Sequence, residues 1–377
     1  MGKIDELIKD FNRQYKETIM SKGIDIIKTK KIPFSSPRIN YMTYGGLPRG
    51  RIIEFSGEEN GGKTTTALDI VANAQQLFFE EWTQEIDDLE LINKLNKTQQ
   101  ERLNYLKQQG PQKIVYADCE NTLEENWAKQ LGVNVEELIV LKPQSQSAEQ
   151  IFEIMIKLIS TGEVGLSVLD SIGVMLSGLA FEKTMEEKTY GGIAQSLTLF
   201  GKKAEMLCAK HGSTFIGINQ MRADLNSQHG GTMTTGGKGW KHVCIVRLSF
   251  RKGNFIDNLG NELRRNAEEP VGNIVQVAIE KTKAFKPDRR IGFYTLNYSE
   301  GIDWISDTAE LAIKYGMINR AGAWYTFIDL ETGEIIEDEN GETIKLQGKA
   351  SLLEYLKANV EILSELTDNI QLKLESQ

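Results

Sequence analysis

Cysteine is scarce in this chain. Cys119, Cys208 and Cys244 are scattered over 377 residues. They show neither the paired spacing of a disulfide framework nor a zinc cluster, so a reducing cytosol is the expected compartment. Long apolar runs are missing too. None is long enough to cross a bilayer. The N-terminus carries Asp5, Glu6 and Asp10 where a signal peptide would carry an apolar segment. The expectation is a soluble cytoplasmic protein without a membrane partner. There is no basic excess either: 44 Lys and Arg face 53 Asp and Glu, for a net charge of -9. That total does not exclude nucleic acid, because binding follows local charge. Residues 236–252 hold Lys238, Lys241, Arg247, Arg251 and Lys252 without an acid, the most one-signed stretch of the chain.

What is present begins with Gly57-Glu58-Glu59-Asn60-Gly61-Gly62-Lys63-Thr64, followed by Thr65, a complete P-loop. A strand over 51–55 leads into it and a helix over 64–79 leaves it, the context that makes the motif a nucleotide site. The glycines let successive N–H groups face phosphates. Lys63 reaches the β- and γ-phosphates, and the Thr64 hydroxyl suits magnesium. Asp170, at the end of the apolar strand 164–169, is the expected acid for a magnesium-bound water. Glu120, just past the strand 113–117, and Glu59, inside the loop, are both candidate water-positioning bases, with Glu120 favoured. Gln220 follows the strand 214–218, where a neutral amide can sense the γ-phosphate.

Around these motifs the pattern alternates. Helices are expected over 123–131, 148–160 and 192–210, and strands over 138–141, 243–250 and 274–281, completing an α/β core with a central, mostly parallel sheet. Residues 3–20 read as an amphipathic helix with Ile4, Leu7, Ile8, Phe11 and Tyr15 on one face. It is either a lid on its own core or an arm to a neighbour. Residues 80–110 read as a helical insertion, an outer elaboration or a partner surface. After about residue 300 a helix over 307–315, a hairpin-like region over 324–345, a helix over 349–357 and a final helix or tail make a small C-terminal domain. The resulting division is 1–35, 36–298 and 299–377.

Two segments read as functional loops. Residues 222–239 are rich in glycine and have no apolar period, so they are expected to be a long loop attached to Gln220. Backbone amides there, with Lys238 or Lys241, can meet a phosphodiester chain; a merely solvated loop is the alternative. The second segment, 181–192, mixes balanced charge with Met185 and Tyr190 and opens into a helix through Gly191 and Gly192.

Several blocks, in order over about residues 35–355, resemble the bacterial-type RecA recombinases, phage-encoded versions included. They are the run from Gly45 to Ile52 before the P-loop, Ala117-Asp118-Cys119-Glu120, Leu169-Asp170-Ser171, Ile218-Asn219-Gln220-Met221-Arg222, Thr234-Thr235-Gly236-Gly237 with Trp240-Lys241, and Ala321-Gly322-Ala323-Trp324-Tyr325. The resemblance implies an N-terminal oligomerisation helix, a RecA-type ATPase core and a small α/β C-terminal domain. It also implies ATP and Mg2+, a helical filament of the chain with itself, and binding of single- and double-stranded DNA, and it leaves loading or regulatory proteins as further partners. Carried over by position, Glu120 is the catalytic acid, Gln220 the γ-phosphate sensor and Trp127 the aromatic that stacks on adenine. Lys281 and Lys283 reach the neighbour's ATP. Residues 182–192 and Arg222 to Gly239, including Thr235, form the two DNA loops, and Lys241 and Arg247 lie near the DNA. Departures are the insertion at 80–110, Asn60-Gly61 where serines are usual, Thr282 in place of Asn, and a tail without a dense acidic run; they point to a divergent or phage-borne version. A ring-forming motor of the same core and a non-hydrolysing ATP-binding regulator are the rival readings. The regulator is expected to lack Lys63, Glu120 or Asp170, and this chain has all three.

Overall fold

The computed structural model describes residues 3–15, 29–182, 192–224, 231–258, 261–264, 266–329, 332–337 and 341–375. Residues 1–30 and 31–377 form two compact units. In the first, helix α1 (Lys3–Tyr15) buries none of its residues, and Ile4, Leu7, Phe11 and Tyr15 are exposed. The expected continuation of this helix over 16–20 lies outside the described residues.

The second unit opens with β1 (Lys31–Ile32), α2 (Pro37–Met42), β2 (Leu47–Pro48) and β3 (Ile52–Gly57). Pro37 sits at the first turn of α2, where its missing N–H costs nothing. Helix α3 (Lys63–Glu90) starts on the P-loop and runs well past residue 79, because no Gly or Pro interrupts it. Asn96 and Gln99 form a capping box that starts α4 (Lys97–Gln109). The chain continues through β4 (Lys113–Asp118), α5 (Glu125–Gln130), β5 (Leu138–Leu141), α6 (Ala148–Ser160), β6 (Val164–Asp170), α7 (Gly178–Glu182) and α8 (Ala194–His211).

Next come β7 (Thr214–Asp224), β8 (Gly231–Thr234), α9 (Gly237–Val243), β9 (Val246–Ile256), β10 (Glu262–Leu263), β11 (Gly272–Thr282), β12 (Ile291–Asn297) and β13 (Gly301–Ile302). The C-terminal part holds α10 (Trp304–Lys314), β14 (Ile318–Ala321), β15 (Trp324–Phe327), β16 (Lys345–Gln347), α11 (Lys349–Ala358) and α12 (Val360–Glu375).

The main sheet has the order β13-β12-β11-β9-β3-β7-β6-β4-β5. The six strands β5, β4, β6, β7, β3 and β9 are parallel, whereas β11, β12 and β13 add on antiparallel. This is the expected α/β core with a mostly parallel central sheet, mixed at one side. β3 and β6 are buried along their whole length, as expected of parallel strands covered on both faces. On one face Ala67, Leu68, Ile70, Val71, Ala74 and Phe78 of α3 pack on Ile53, Phe55, Leu166 and Val168. On the other, Ile151 and Met155 of α6 and Leu197 and Phe200 of α8 pack on Val115, Leu169 and Phe215.

One expectation, the loop at 222–239, needs correction, and the structure adds one strand and the detail of the insertion. β12 was not anticipated, although Gly292, Tyr294 and Leu296 alternate inward along it. The stretch 222–239 is not a loop throughout. β7 continues to Asp224 and pairs antiparallel with β8, Met221 opposite Thr234, and α9 starts at Gly237; the β-branched Thr232 and Thr234 suit the strand. The insertion is a helical hairpin. Leu103 and Leu106 of α4 are buried, the Trp82 indole N–H donates to the Leu106 carbonyl at 2.9 Å, and Arg102 makes a two-pronged pair with Glu85 at 2.7 and 2.8 Å.

The C-terminal elements build their own apolar cluster from Leu311, Met317, Phe327, Leu352, Leu356 and Leu366. They are anchored to the segment entering the core by Asp307 on α10. This fully buried carboxyl accepts from the Ser36 hydroxyl, and its other oxygen lies 3.6 Å from Arg38. Among the described residues no helix is long and apolar enough to cross a membrane.

Burial pushes the Asp307 pKa up to about 7, against the opposing pull of Arg38 and Ser36. A carboxyl raised on folding stabilises below its unfolded pKa and loses that contribution as pH rises through the folded value. Thermal melts at about pH 5 and about pH 8 test this sign: the parental chain should lose more stability across the interval than Asp307→Asn, whose amide cannot ionise. Equal losses in the two proteins would overturn the assignment.

Candidate active site

The parallel strands deliver their C-terminal ends to one edge of the sheet, where ligands of open α/β folds bind. A cavity of about 780 Å³ opens there. Among the residues lining it are Glu59, Asn60, Gly61, Gly62, Lys63, Thr64, Thr65, Glu120, Trp127, Asp170 and Gln220, which come from the ends of β3, β4, β6 and β7 and from α5. Gly57 and Glu58 form the shoulder of the loop. A side chain on Gly57 would run into the Phe250 carbonyl of β9, and one on Gly61 would lie 3.0 Å from the same oxygen. The loop therefore needs glycine because it crosses a neighbouring strand at contact distance. Gly62, at φ 96°, caps α3 in the left-handed region.

Lys63 is almost buried, and its ammonium donates to the carbonyls of Glu58 at 2.6 Å and Gly57 at 3.2 Å. Burial lowers its pKa, while Asp170, Glu120, Glu59 and Glu58 pull the other way. The Thr64 hydroxyl donates to Asp170 Oδ2 at 2.8 Å, and the Tyr116 hydroxyl donates to the same oxygen at 2.7 Å. Burial raises the Asp170 pKa, and these two donors oppose the rise.

The loop after β4 is held by its own acid. Asp118 accepts from the backbone N–H of Thr122 at 3.0 Å and of Leu123 at 3.1 Å. That turn sets Glu120, whose Oε1 accepts from Gln220 Nε2 at 3.1 Å and from the Ser171 hydroxyl. Among the described residues Oε2 has no protein donor. Glu124 caps α5 by accepting from the N–H groups of Asn126 and Trp127 at 3.0 and 2.6 Å, which fixes the half-buried Trp127 at the cavity wall.

The hydroxyl of Thr64 and the carboxylate of Asp170 are hard oxygen donors in contact, the set that suits Mg2+ shared with a phosphate. Among the described residues no group of three or more His, Cys, Asp or Glu could hold a metal without such help.

Sequence reasoning missed one wall. Lys252 and Phe255 of β9, Asn273 of β11, Leu296 of β12 and Tyr298 also line the cavity, as does Thr122. The Lys252 ammonium stands 4.3 Å from the Phe255 ring centre and 5.9 Å from that of Tyr298. Alternation along an extended β9 and β12 was the available signal.

Lys281 and Lys283 do not line this cavity. Lys281 pairs with Arg247 across β11 and β9. Its ammonium caps α9, donating to the carbonyls of Lys241 at 2.7 Å, His242 at 2.8 Å and Cys244 at 2.5 Å. Lys283 is exposed at the end of the same strand. Met185, Tyr190 and Gly191 lie outside the described residues, and Gly192 marks where the description resumes. For Arg222 only the backbone is described, opposite Met233.

Beyond the hairpin, Thr235 offers its carbonyl to Asn219 at 2.8 Å. Lys238 and Gly237 are exposed, and Lys241 is half-buried. Gly236 and Gly239 are glycines because α9 lies against α8: a methyl on Gly239 would strike Thr198, and one on Gly236 would lie 2.5 Å from Leu197. Trp240 is corrected as a DNA contact, since it is fully buried against Phe215, with its indole N–H donating to Glu54 at 3.0 Å. Arg247 is mostly covered and ion-paired with Glu54.

A family model for the RecA N-terminal domain matches residues 3–80 and 101–303. Similar proteins include Protein RecA of Petrotoga mobilis, 29% identical over 376 residues, 98% of this chain and 88% of that protein. Protein RecA of Thermus thermophilus is 31% identical over 344 residues, 91% of this chain and 84% of that protein. A crystal structure of the RadB recombinase is similar at 17% identity and a TM-score of 0.45, covering 70% of this chain and 95% of that one. With a family model matched over most of its length and a P-loop, Asp170 and Gln220 gathered at one sheet edge, the chain belongs to the RecA family of P-loop recombinases.

Proposed function

We propose that this chain is an ATP-dependent DNA strand-exchange recombinase, which assembles as a filament on single-stranded DNA and pairs it with a homologous duplex. The observation that carries the reading is a continuous connection: Glu120 and Gln220 share a hydrogen bond in the cavity, and β7 runs from Gln220 directly into the hairpin with β8. ATP is the substrate of the cavity. The P-loop amides and Lys63 hold its phosphates, and bound phosphate relieves the burial penalty on the Lys63 ammonium. Thr64 and Asp170 would hold Mg2+, which supplies charge neutralisation on the phosphates. Glu120 orients the attacking water, Trp127 offers a face to the base, and Gln220 bonds the γ-phosphate or Glu120 according to occupancy. Glu120 is preferred to Glu59 as the base because it alone of the two is bonded to the sensor amide.

DNA contact falls to the hairpin end, the exposed Gly237 and Lys238, Lys241, and the segment 182–192. Lys281 and Lys283 lie away from their own chain's cavity, which fits a role at a neighbour's nucleotide, and α1, apolar on one face, fits docking on a second copy. Each subunit then needs few DNA contacts, because many act together.

ATP turnover measured with and without single-stranded DNA, with negative-stain images of the same samples, tests the reading. Strand-dependent stimulation and extended helical filaments are expected, falling steeply with salt. Closed rings would favour a DNA motor, and absence of both turnover and DNA binding a regulator. Glu120→Gln should lower turnover by about a hundredfold, the usual order for loss of a general base, while its filaments assemble with ATP and persist; parental turnover would move the role to Glu59. Replacing Lys281 and Lys283 together by Ala should leave the monomer folded by circular dichroism but abolish DNA-stimulated turnover. Unchanged stimulation would remove both from the mechanism.

A further inference from the structure

Glu54 is a fully buried carboxylate in the middle of β3. It lies opposite Gly217 of β7 on one side and Arg247 of β9 on the other. Its Oε1 accepts from Asn219 Nδ2 at 2.9 Å and from Trp240 Nε1 at 3.0 Å, and its Oε2 accepts from Arg247 Nε. Two of these donors reach on to the base of the hairpin. Asn219 Nδ2 also donates to the Thr235 carbonyl at 2.8 Å, and Arg247 Nη2 donates to the Thr234 hydroxyl at 3.4 Å. The space is made for this cluster. A methyl on Gly217 would stand 2.9 Å from the Trp240 ring, so only glycine there lets the indole reach Glu54.

A buried ion pair is a poor way to gain stability, since apolar side chains of the same volume do as well or better. It is a good way to specify one arrangement of several segments. Here the segments are the residue next to the sensor Gln220, the end of β8, α9 and β9. We propose that Glu54 is a positioning residue that couples nucleotide state at Gln220 to the placement of the hairpin and α9. Asn219 and Gln220 are joined by one peptide. When Gln220 leaves Glu120 for a γ-phosphate, Asn219 turns with it. Its amide, which donates to both Glu54 and the Thr235 carbonyl, then either pulls Thr235 along or lets go of one of the two. The donors on Glu54 make two placements of the hairpin base discrete rather than continuous. This rests on the reading of Gln220 as sensor and of the hairpin as a DNA contact.

Glu54→Gln tests it. The amide keeps the shape, loses the charge opposite Arg247 and presents N–H groups to a cluster made of donors. The full-length chain is measured for thermal shift on adding MgATP, for basal turnover and for turnover with single-stranded DNA. The expected result is a parental MgATP shift and basal rate, with DNA stimulation reduced about tenfold, within the usual span of coupling between sites. A folded Glu54→Gln protein with parental stimulation overturns the proposal. Should Glu54→Gln not fold, Trp240→Phe decides, because it keeps an aromatic ring and removes one of the two donors to Oε1 while Asn219 remains. A smaller loss of stimulation with an unchanged MgATP shift supports the coupling, and parental stimulation overturns it. If the parental chain itself shows no stimulation by DNA, the functional reading fails, and the coupling falls with it.

Discussion

Parallel alignment of β4, β6, β7 and β3 is the constraint on which the rest depends. It forces four strand ends to one edge and leaves each end to turn at the same place. The P-loop and Glu120 follow β3 and β4, Asp170 closes β6, and Gln220 is the last residue of β7 paired with β3. None can move far alone. Asp170 is tied to Thr64 and Tyr116, Glu120 to Ser171 and Gln220, and the Cys119 N–H donates to the Asp170 carbonyl at 2.6 Å. The site is preorganised because its members hydrogen-bond one another across strands that the sheet already fixes.

The same chain uses buried carboxyls as ties elsewhere. Asp69 on α3 accepts from the Ser35 N–H at 3.1 Å and from Asn73, and burial pushes its pKa up to about 6. Asp307 holds Ser36 and Arg38 from the C-terminal side. Ser35 and Ser36 are thus gripped from two directions, so the segment leading into the core is held by polar groups that leave no doubt of register. Glu54 does the same for the far side of the sheet. Each tie joins residues distant in sequence, and each costs desolvation that apolar packing would not.

The parts of this molecule that sequence revealed are those with local rules. The P-loop needs glycine at fixed spacing. The apolar run ending in Asp170 needs a buried parallel strand, and the helix read over 148–160 is α6. What stayed hidden depended on distant partners. The hairpin of β7 and β8 is glycine- and threonine-rich and reads as a loop until the pairing of Met221 with Thr234 is known. Trp240 sits in a basic, glycine-rich stretch that suggests an exposed nucleic-acid surface. Its burial follows from gaps at Gly201 and Gly217, which no local pattern links to it. The wall made by Lys252, Phe255 and Tyr298 comes from the antiparallel side of the sheet, whose last strands went unread.

The long helix α3 spans 28 residues, a rod of about 42 Å at 1.5 Å per residue. One end carries Lys63 and the other stops beside Leu91, which is 81% exposed. The family match skips residues 81–100, the distal part of this rod and the turn after it. The unmatched residues therefore lie at the end of α3 remote from the P-loop and at the start of α4. None of those residues belongs to a strand of the sheet, which makes the turn at 91–96 a natural graft point for a probe or a tether.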